Sequence, residues 1–204
     1  MTSRRALACT LLAALLVGPP GPWCPQARAE DDPPYDVEQE ELKGESPPFK
    51  LERPSDSWLF IKLDALREQI RKQGGDTSGL QNLKGRLWWG AAKANVFLYA
   101  YPDRGEAELE ALAKNRLEQI KGNLIEPQVK SFKPARIGKR PAFVFEIEGK
   151  PPRVGADPVV LVIAMAVRPE DKQVFEVIME VAGNGRVADA KKDFAKLLKQ
   201  KLKI

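Results

Sequence analysis

Val159 to Val167 is nine consecutive apolar residues, and this stretch constrains the fold more than any other feature of the chain. A helix needs about 20 apolar residues to cross a bilayer, so the segment is too short to span a membrane. It reads as a β-strand, and a continuously apolar strand has to be covered on both faces of its sheet. Gln173 to Ala182 pairs with it across Pro169-Glu170-Asp171-Lys172. A sheet with one solvated face is therefore disfavoured, and helices are expected on both sides.

The other segments supply the remaining layers. Phe49 to Arg53 alternates weakly and stops at Pro54, as an edge strand would, and Trp58 to Leu63 is a second apolar stretch. Asp64 to Gln73 fits a short helix closed by Gly74-Gly75. Gly85 to Trp89 and Asn95 to Tyr101 form a hairpin around Gly90-Ala91-Ala92-Lys93, and Gln128 to Ile137 pairs with Pro141 to Glu148 around Gly138-Lys139-Arg140. Two helices are long and amphipathic. In Glu106 to Gly122 the residues Leu109, Leu112, Ala113, Leu117, Ile120 and Leu124 follow one face; in Gly185 to Lys203, capped by Asn184, Val187, Ala190, Phe194, Leu197, Leu198 and Leu202 do the same. The expected class is α+β: a mainly antiparallel sheet covered by two long amphipathic helices, an α/β/α sandwich.

The N-terminus reads as an export signal. Arg4 and Arg5 precede the apolar run Ala6 to Val17, and Ala27-Arg28-Ala29 offers the small-x-small pattern of a cleavage site. Cys24 follows Gly21-Pro22-Trp23 rather than the small apolar tripeptide of a lipidated cysteine. Ser3-Arg4-Arg5 partly matches a twin-arginine signal, so the export route stays open. Residues 1–29 are expected to be a signal peptide cleaved after Ala29, with the protein periplasmic or secreted.

Charge then has to be counted by segment. Of the formal net +5, the signal supplies three arginines and no acid. Residues 30–52 hold nine acids and two lysines, leaving residues 53–204 at net +9. Residues 30–47 are acidic, Pro-rich and poor in apolar side chains, and are expected to be a disordered arm. The arm is expected to serve as a solubilising spacer, with folding over the basic body or binding of a basic partner as the sharper alternative. Residues 48–204 are expected to form one domain.

Composition removes most catalytic chemistry. The chain has no histidine, and its two cysteines, Cys9 and Cys24, lie in the signal. His- or Cys-based nucleophilic catalysis, His metal sites and disulfides are then not implied for the exported chain. No nucleotide-binding or nucleophile-elbow motif occurs, and no cofactor or metal is implied. Glu146, Glu148, Glu176 and Glu180 could supply paired carboxylates for a hydrolase only if they converge; their alternating spacing also suits a solvated sheet face.

The candidate binding residues are basic. Lys130, Lys133, Arg136, Lys139 and Arg140 follow one another without an acid, with Lys150 and Arg153 beyond them. Such a run suits an acidic protein, phosphate or an anionic membrane surface. Phe132 is its one aromatic residue, too little stacking surface for nucleic acid. Trp88 and Trp89 are adjacent in a strand and so point to opposite faces, one toward the core and one available as an interface anchor.

Several of these segments resemble one fold family. Phe49-Lys50-Leu51 leading to Pro54-Ser55-Asp56-Ser57-Trp58, the helix Glu106 to Gly122 and Ile137-Gly138-Lys139-Arg140-Pro141-Ala142-Phe143-Val144-Phe145 carry the resemblance, with the hairpin Val159 to Val181 and the last helix. Together they resemble the PsbP-like and Mog-type α/β/α sandwiches, as an extracytoplasmic bacterial member. The segment Asp64 to Asn82 and the absence of histidine depart from the photosystem members, so no metal role and no functional residue carries over. The resemblance implies non-catalytic binding, docking and assembly. The expected function is docking of a protein partner through the basic strand-turn surface. Binding of anionic lipid or envelope polymer is the second reading, and a carboxylate hydrolase the third.

Overall fold

Val159 to Ala166 is buried at every position, as an interior strand must be when both faces of its sheet are covered. The computed structural model describes residues 35–36, 38–72, 74–103, 108–152 and 155–204. In chain order the strands are β1 (Tyr35–Asp36), β2 (Glu41–Glu45), β3 (Pro48–Glu52), β4 (Leu59–Ile61), β5 (Leu83–Trp89) and β6 (Ala94–Pro102). They continue with β7 (Ile125–Ile137), β8 (Arg140–Lys150), β9 (Val159–Arg168), β10 (Gln173–Ala182) and β11 (Leu202–Lys203). The helices are α1 (Leu63–Lys72), α2 (Leu109–Lys121) and α3 (Val187–Lys196).

Eight strands form one sheet in the order β1-β4-β5-β6-β10-β9-β8-β7, antiparallel at every pairing. β11, β3 and β2 form a second, three-stranded sheet. Side-chain alternation sorts the large sheet into two cores. On one face Val160, Val162 and Ala164 of β9 join Phe175 and Val177 of β10 under α3 and the small sheet. On the other, Leu161, Ile163 and Met165 join Phe97, Tyr99, Phe145 and Ile147 under α1 and α2. The result is a helix layer, a sheet, and a mixed helix-and-sheet layer.

Two long helices do not account for the cover. Among the described residues, three helices of 10, 13 and 10 residues share it. Glu106 lies outside the described residues, and α2 is described from Leu109. The last helix does not continue to Lys203. After Lys196 it widens into a π-helical turn over Leu197–Lys201, then pairs as β11 with β3, setting Leu202 opposite Leu51. The open edge of β3 captures the chain there, and Leu202 is buried against the core. Asn184 does not cap α3. Its side chain accepts a hydrogen bond from Lys93 Nζ at 3.1 Å, and Gly185 sits so close to the Ala92 carbonyl that a Cβ would lie 2.2 Å from it.

The acidic arm also differs from expectation. Residues 41–45 are β2, paired with β3 from Glu41↔Glu52 to Glu45↔Pro48. Phe49 to Arg53 therefore corresponds to a central strand of the small sheet, not an edge. Leu42 packs against the core. On the outer side Lys50 bridges Glu41 at 2.6 Å and Glu52 at 2.8 Å, and Lys201 reaches Glu52 at 2.8 Å. Acids that repel one another as a list are neutralised once lysines from β3 and the C-terminus lie beside them.

The Pro54 to Trp58 segment acts as an anchor. Ser55 Oγ and the Trp58 indole both donate to Asp193 Oδ2 on α3, at 2.8 and 2.9 Å. Trp58 is fully buried, 5.6 Å from Trp89 between ring centroids. Arg168 plays a similar part lower down, donating to the Pro48 carbonyl and stacking 4.8 Å over Phe175.

Candidate docking surface

The basic run falls on β7 and the turn that follows it. β7 is the outermost strand on its side of the sheet, and its 13 residues are mostly solvent-facing. It pairs with β8 through Ser131↔Glu146, Phe132↔Phe145, Lys133↔Val144 and on to Ile137↔Arg140, with irregularities between Ile125 and Gln128 and between Val129 and Ser131. Gly138 and Lys139 make the turn. Gly138 adopts φ +57, where a glycine is suited, and its N–H donates to the Leu198 carbonyl at 2.7 Å. That bond ties the turn to the C-terminal segment.

The register divides the basic residues between two faces. Lys133 lies opposite Val144, on the α3 side, whereas Arg136 follows the parity of Phe132 and Phe143, on the α1–α2 side. Phe132 is held inward, with ring centroids 5.4 Å from Phe143 and 6.1 Å from Phe145. Two of the five cations are engaged. Lys130 contacts Glu148 at 3.2 Å. Arg140 donates to Glu170 through Nη1 and Nη2 at 3.0 and 2.8 Å and to the Ile204 oxygen through Nε at 2.8 Å. This pairing holds the Glu170 carboxyl below the usual carboxylate range. Lys133, Arg136 and Lys139 are exposed and have no ion pair among the described residues. Lys150 reaches Glu126 at 3.5 Å, and Arg153 lies outside the described residues, as do Ala27 and Ala29. Among the described residues, the two strongly exposed large apolar side chains, Ile125 at 48% and Val129 at 42%, are both on β7.

Trp88 and Trp89 point to opposite faces, but neither lies near this edge. Trp89 is buried, with Arg186 5.3 Å over its ring. Trp88 is half-buried, and its ring lies over Gly90, where a Cβ would meet it at 2.6 Å. β5 is five strand positions from β7, about 24 Å at the usual strand spacing.

The four glutamates do not converge. Glu146 and Glu148 project on the α3 face, where Glu146 meets Lys191 at 2.7 Å and Glu148 meets Lys130. Glu176 and Glu180 project on the opposite face. Nor is Glu176 solvated: it is 1% exposed and accepts from Arg116 Nε at 2.6 Å. Burial, with the Glu176 charge adding to it, pushes the Tyr101 phenol up. For Arg116 burial is the largest influence and acts downward, but the Glu176 charge, the Glu176 hydrogen bond and the two nearby tyrosines together outweigh it, and the net shift is upward. Arg116 had a sequence signal, since it stands in the apolar stripe of α2 between Ala113 and Ile120.

Further along the same face, Arg86 donates to Asn95 Oδ1 at 3.2 and 2.7 Å and lies 5.1 Å over Phe97. Burial pushes the nearby Glu180 carboxyl up to about 7, against the pull of Arg86. A solvent-open hollow of about 730 Å³ lies beside α1, lined by Asp64, Arg67, Glu68, Arg71, Thr77 and Gln81. Its Arg67 and Asp64 pair at 2.8 Å.

No family model matches the chain, and no curated protein sequence matches it. Solved structures do. Cyanobacterial PsbP (CyanoP) from Synechocystis sp. PCC 6803 aligns over 92% of this chain and 99% of its own, at 7% identity and a TM-score of 0.53. The Saccharomyces cerevisiae Ran-binding protein Mog1p aligns over 80% of this chain and 94% of its own, at 8% identity and a TM-score of 0.51. What the chain has in common with these two proteins is their fold, an antiparallel sheet sandwiched in an α+β arrangement.

Proposed function

We propose that the chain is an exported, non-enzymatic binding or assembly domain that docks a protein partner through the β7–β8 edge and its turn. The observation that carries this reading is the exposed triplet Lys133, Arg136 and Lys139, without an ion pair among the described residues, on an outermost strand and its turn where Ile125 and Val129 are also exposed. Exposed apolar residues beside unneutralised charge suit recognition of an acidic protein surface better than simple solubility. The fold neighbours point the same way, one being named for binding Ran and the other being a PsbP. Separation of the four glutamates onto two faces weighs against a carboxylate hydrolase.

The test is a pull-down with Lys133→Glu/Lys139→Glu. Among the described residues neither side chain has an ion pair to lose, unlike Arg140. A partner retained by the parent protein and lost by the variant supports the reading. Unchanged capture of every partner contradicts it. Anionic lipid is the second reading, favoured by the same cations. Sedimentation with phosphatidylglycerol vesicles that is lost at raised salt would move the assignment to a membrane surface.

A further inference from the structure

The two edges of the large sheet are unlike. Among the described residues β1 offers two, Tyr35–Asp36, whereas β7 offers 13. A long outer strand presents a row of backbone groups able to pair with another chain. The turn geometry shows which groups these are. In a hairpin with a two-residue turn, the closing pair Ile137↔Arg140 exchanges both hydrogen bonds, and the pairs alternate from there. Ile137, Ala135 and Lys133 therefore bond to β8, while Arg136, Pro134 and Phe132 direct their backbone outward. Pro134 has no N–H to offer, so the outward donors are the amides of Phe132 and Arg136, flanking an acceptor at the Pro134 carbonyl.

Lysine and proline on an edge strand also guard against aggregation. That role accounts for Lys133 and Pro134, but not for Ile125 and Val129, which a guarded edge would not expose. The charges further select the occupant. A second copy pairing β7 to β7 would crowd Lys130, Lys133 and Arg136 with the same cations, directly opposite one another in the register centred on Lys133, and like charges so placed are destabilising. An acidic strand meets no such penalty.

Resting on the docking reading above, we propose that β7 binds its partner by strand addition, and that the occupant is an extended acidic segment of the partner protein. Lys133 and Arg136 are three residues apart and lie on opposite faces of the sheet. The incoming strand must therefore carry acids three residues apart, one for each face, rather than on alternate residues. Backbone bonds to Phe132, Pro134 and Arg136 supply affinity, and the acid spacing supplies the selectivity.

The probe is the peptide Thr-Glu-Val-Thr-Glu-Val-Thr, titrated into the purified protein at low salt while backbone amide exchange is followed by NMR. The peptide is expected to slow exchange at the Phe132 and Arg136 amides and leave Lys133 and Ala135, already bonded to β8, unchanged. N-methylating the peptide backbone, moving its acids to alternate positions, or introducing Lys133→Glu/Arg136→Glu should each weaken binding about tenfold or more. Binding without protection at Phe132 and Arg136, or equal binding of the N-methylated peptide, overturns strand addition while docking by charge stands. If no peptide binds but the pull-down partner still depends on Lys133 and Lys139, strand addition alone fails. Loss of both results removes the docking reading as well.

Discussion

Charge is treated in opposite ways inside the sandwich and along its β7 edge. Under α2, Arg116 and Glu176 are both buried and meet at 2.6 Å, because an ion taken out of water is tolerated only beside its counter-ion. Along β7 and its turn, Lys133, Arg136 and Lys139 stay in water and need no counter-ion to fold. The interior pair is therefore a structural commitment, and the edge cations are available for an acidic partner. The comparison separates residues whose loss should unfold the protein from those whose loss should only disarm it.

Breaking the interior pair should produce the largest effect. Arg116→Met leaves Glu176 buried without a counter-charge and should cost about 3–5 kcal/mol in urea denaturation. Adding Glu176→Leu should recover most of that loss, because an apolar pair of similar volume replaces the ions. A single variant as stable as the parent would show that Glu176 is hydrated after all.

Glu180 sharpens the contrast through pH. Its folded-state pKa of about 7 lies above the ordinary value of 4.5, so the folded protein binds this proton more tightly than the unfolded chain. This contribution is fully present below pH 4.5 and is lost as pH rises through 7. Glu180→Gln should flatten the fall in stability between those values and leave the variant about 2 kcal/mol more stable than the parent at pH 8. Parallel stability curves for the two proteins would mean that Glu180 is ionised in the fold without penalty.

The charged outer face of the small sheet should give an intermediate result. Lys201 and Lys50 hold the Glu52 carboxyl down to about 2, so its contribution is present above pH 4.5 and lost as pH falls toward 2. Glu52→Gln should cost about 0.5 kcal/mol at pH 7, and less at 1 M salt. A salt-independent loss would point to packing instead. The smallest effect belongs to the edge: Lys133→Glu/Arg136→Glu should change stability by no more than about 0.5 kcal/mol, measured by thermal melting. A larger drop would make those side chains part of the fold.

The sequence was most readable where periodicity alone determines the environment. Val159 to Val167 and its partner strand could be placed at the centre of a sheet because nothing else accommodates such a run. Turn residues likewise located the β5–β6 and β7–β8 hairpins. Local pattern does not say which hairpin ends the sheet, so the exposed flank of β7 appeared only with the strand order. From residue 41 onward the acidic segment looks disordered in the sequence but pairs as β2, because net charge by segment ignores lysines brought from elsewhere, here Lys50 and Lys201. Arg116 stood in an apolar stripe as a visible anomaly, but its partner is 60 residues away. Asp193 gave no comparable sign of its bonds to Ser55 and Trp58. The basic run is legible as a list, but not as cations divided between two faces, nor as lying about 24 Å from Trp88 and Trp89.

The most direct test of the docking surface is site-specific photocrosslinking in the native host, with the reactive side chain placed at position 133 in one protein and at position 88 in another. A discrete, acid-rich partner crosslinked from position 133 and absent from position 88 is the expected result. The same partner crosslinked from position 88 and not from position 133 would contradict the account and move the docking surface to the β5 side of the sheet.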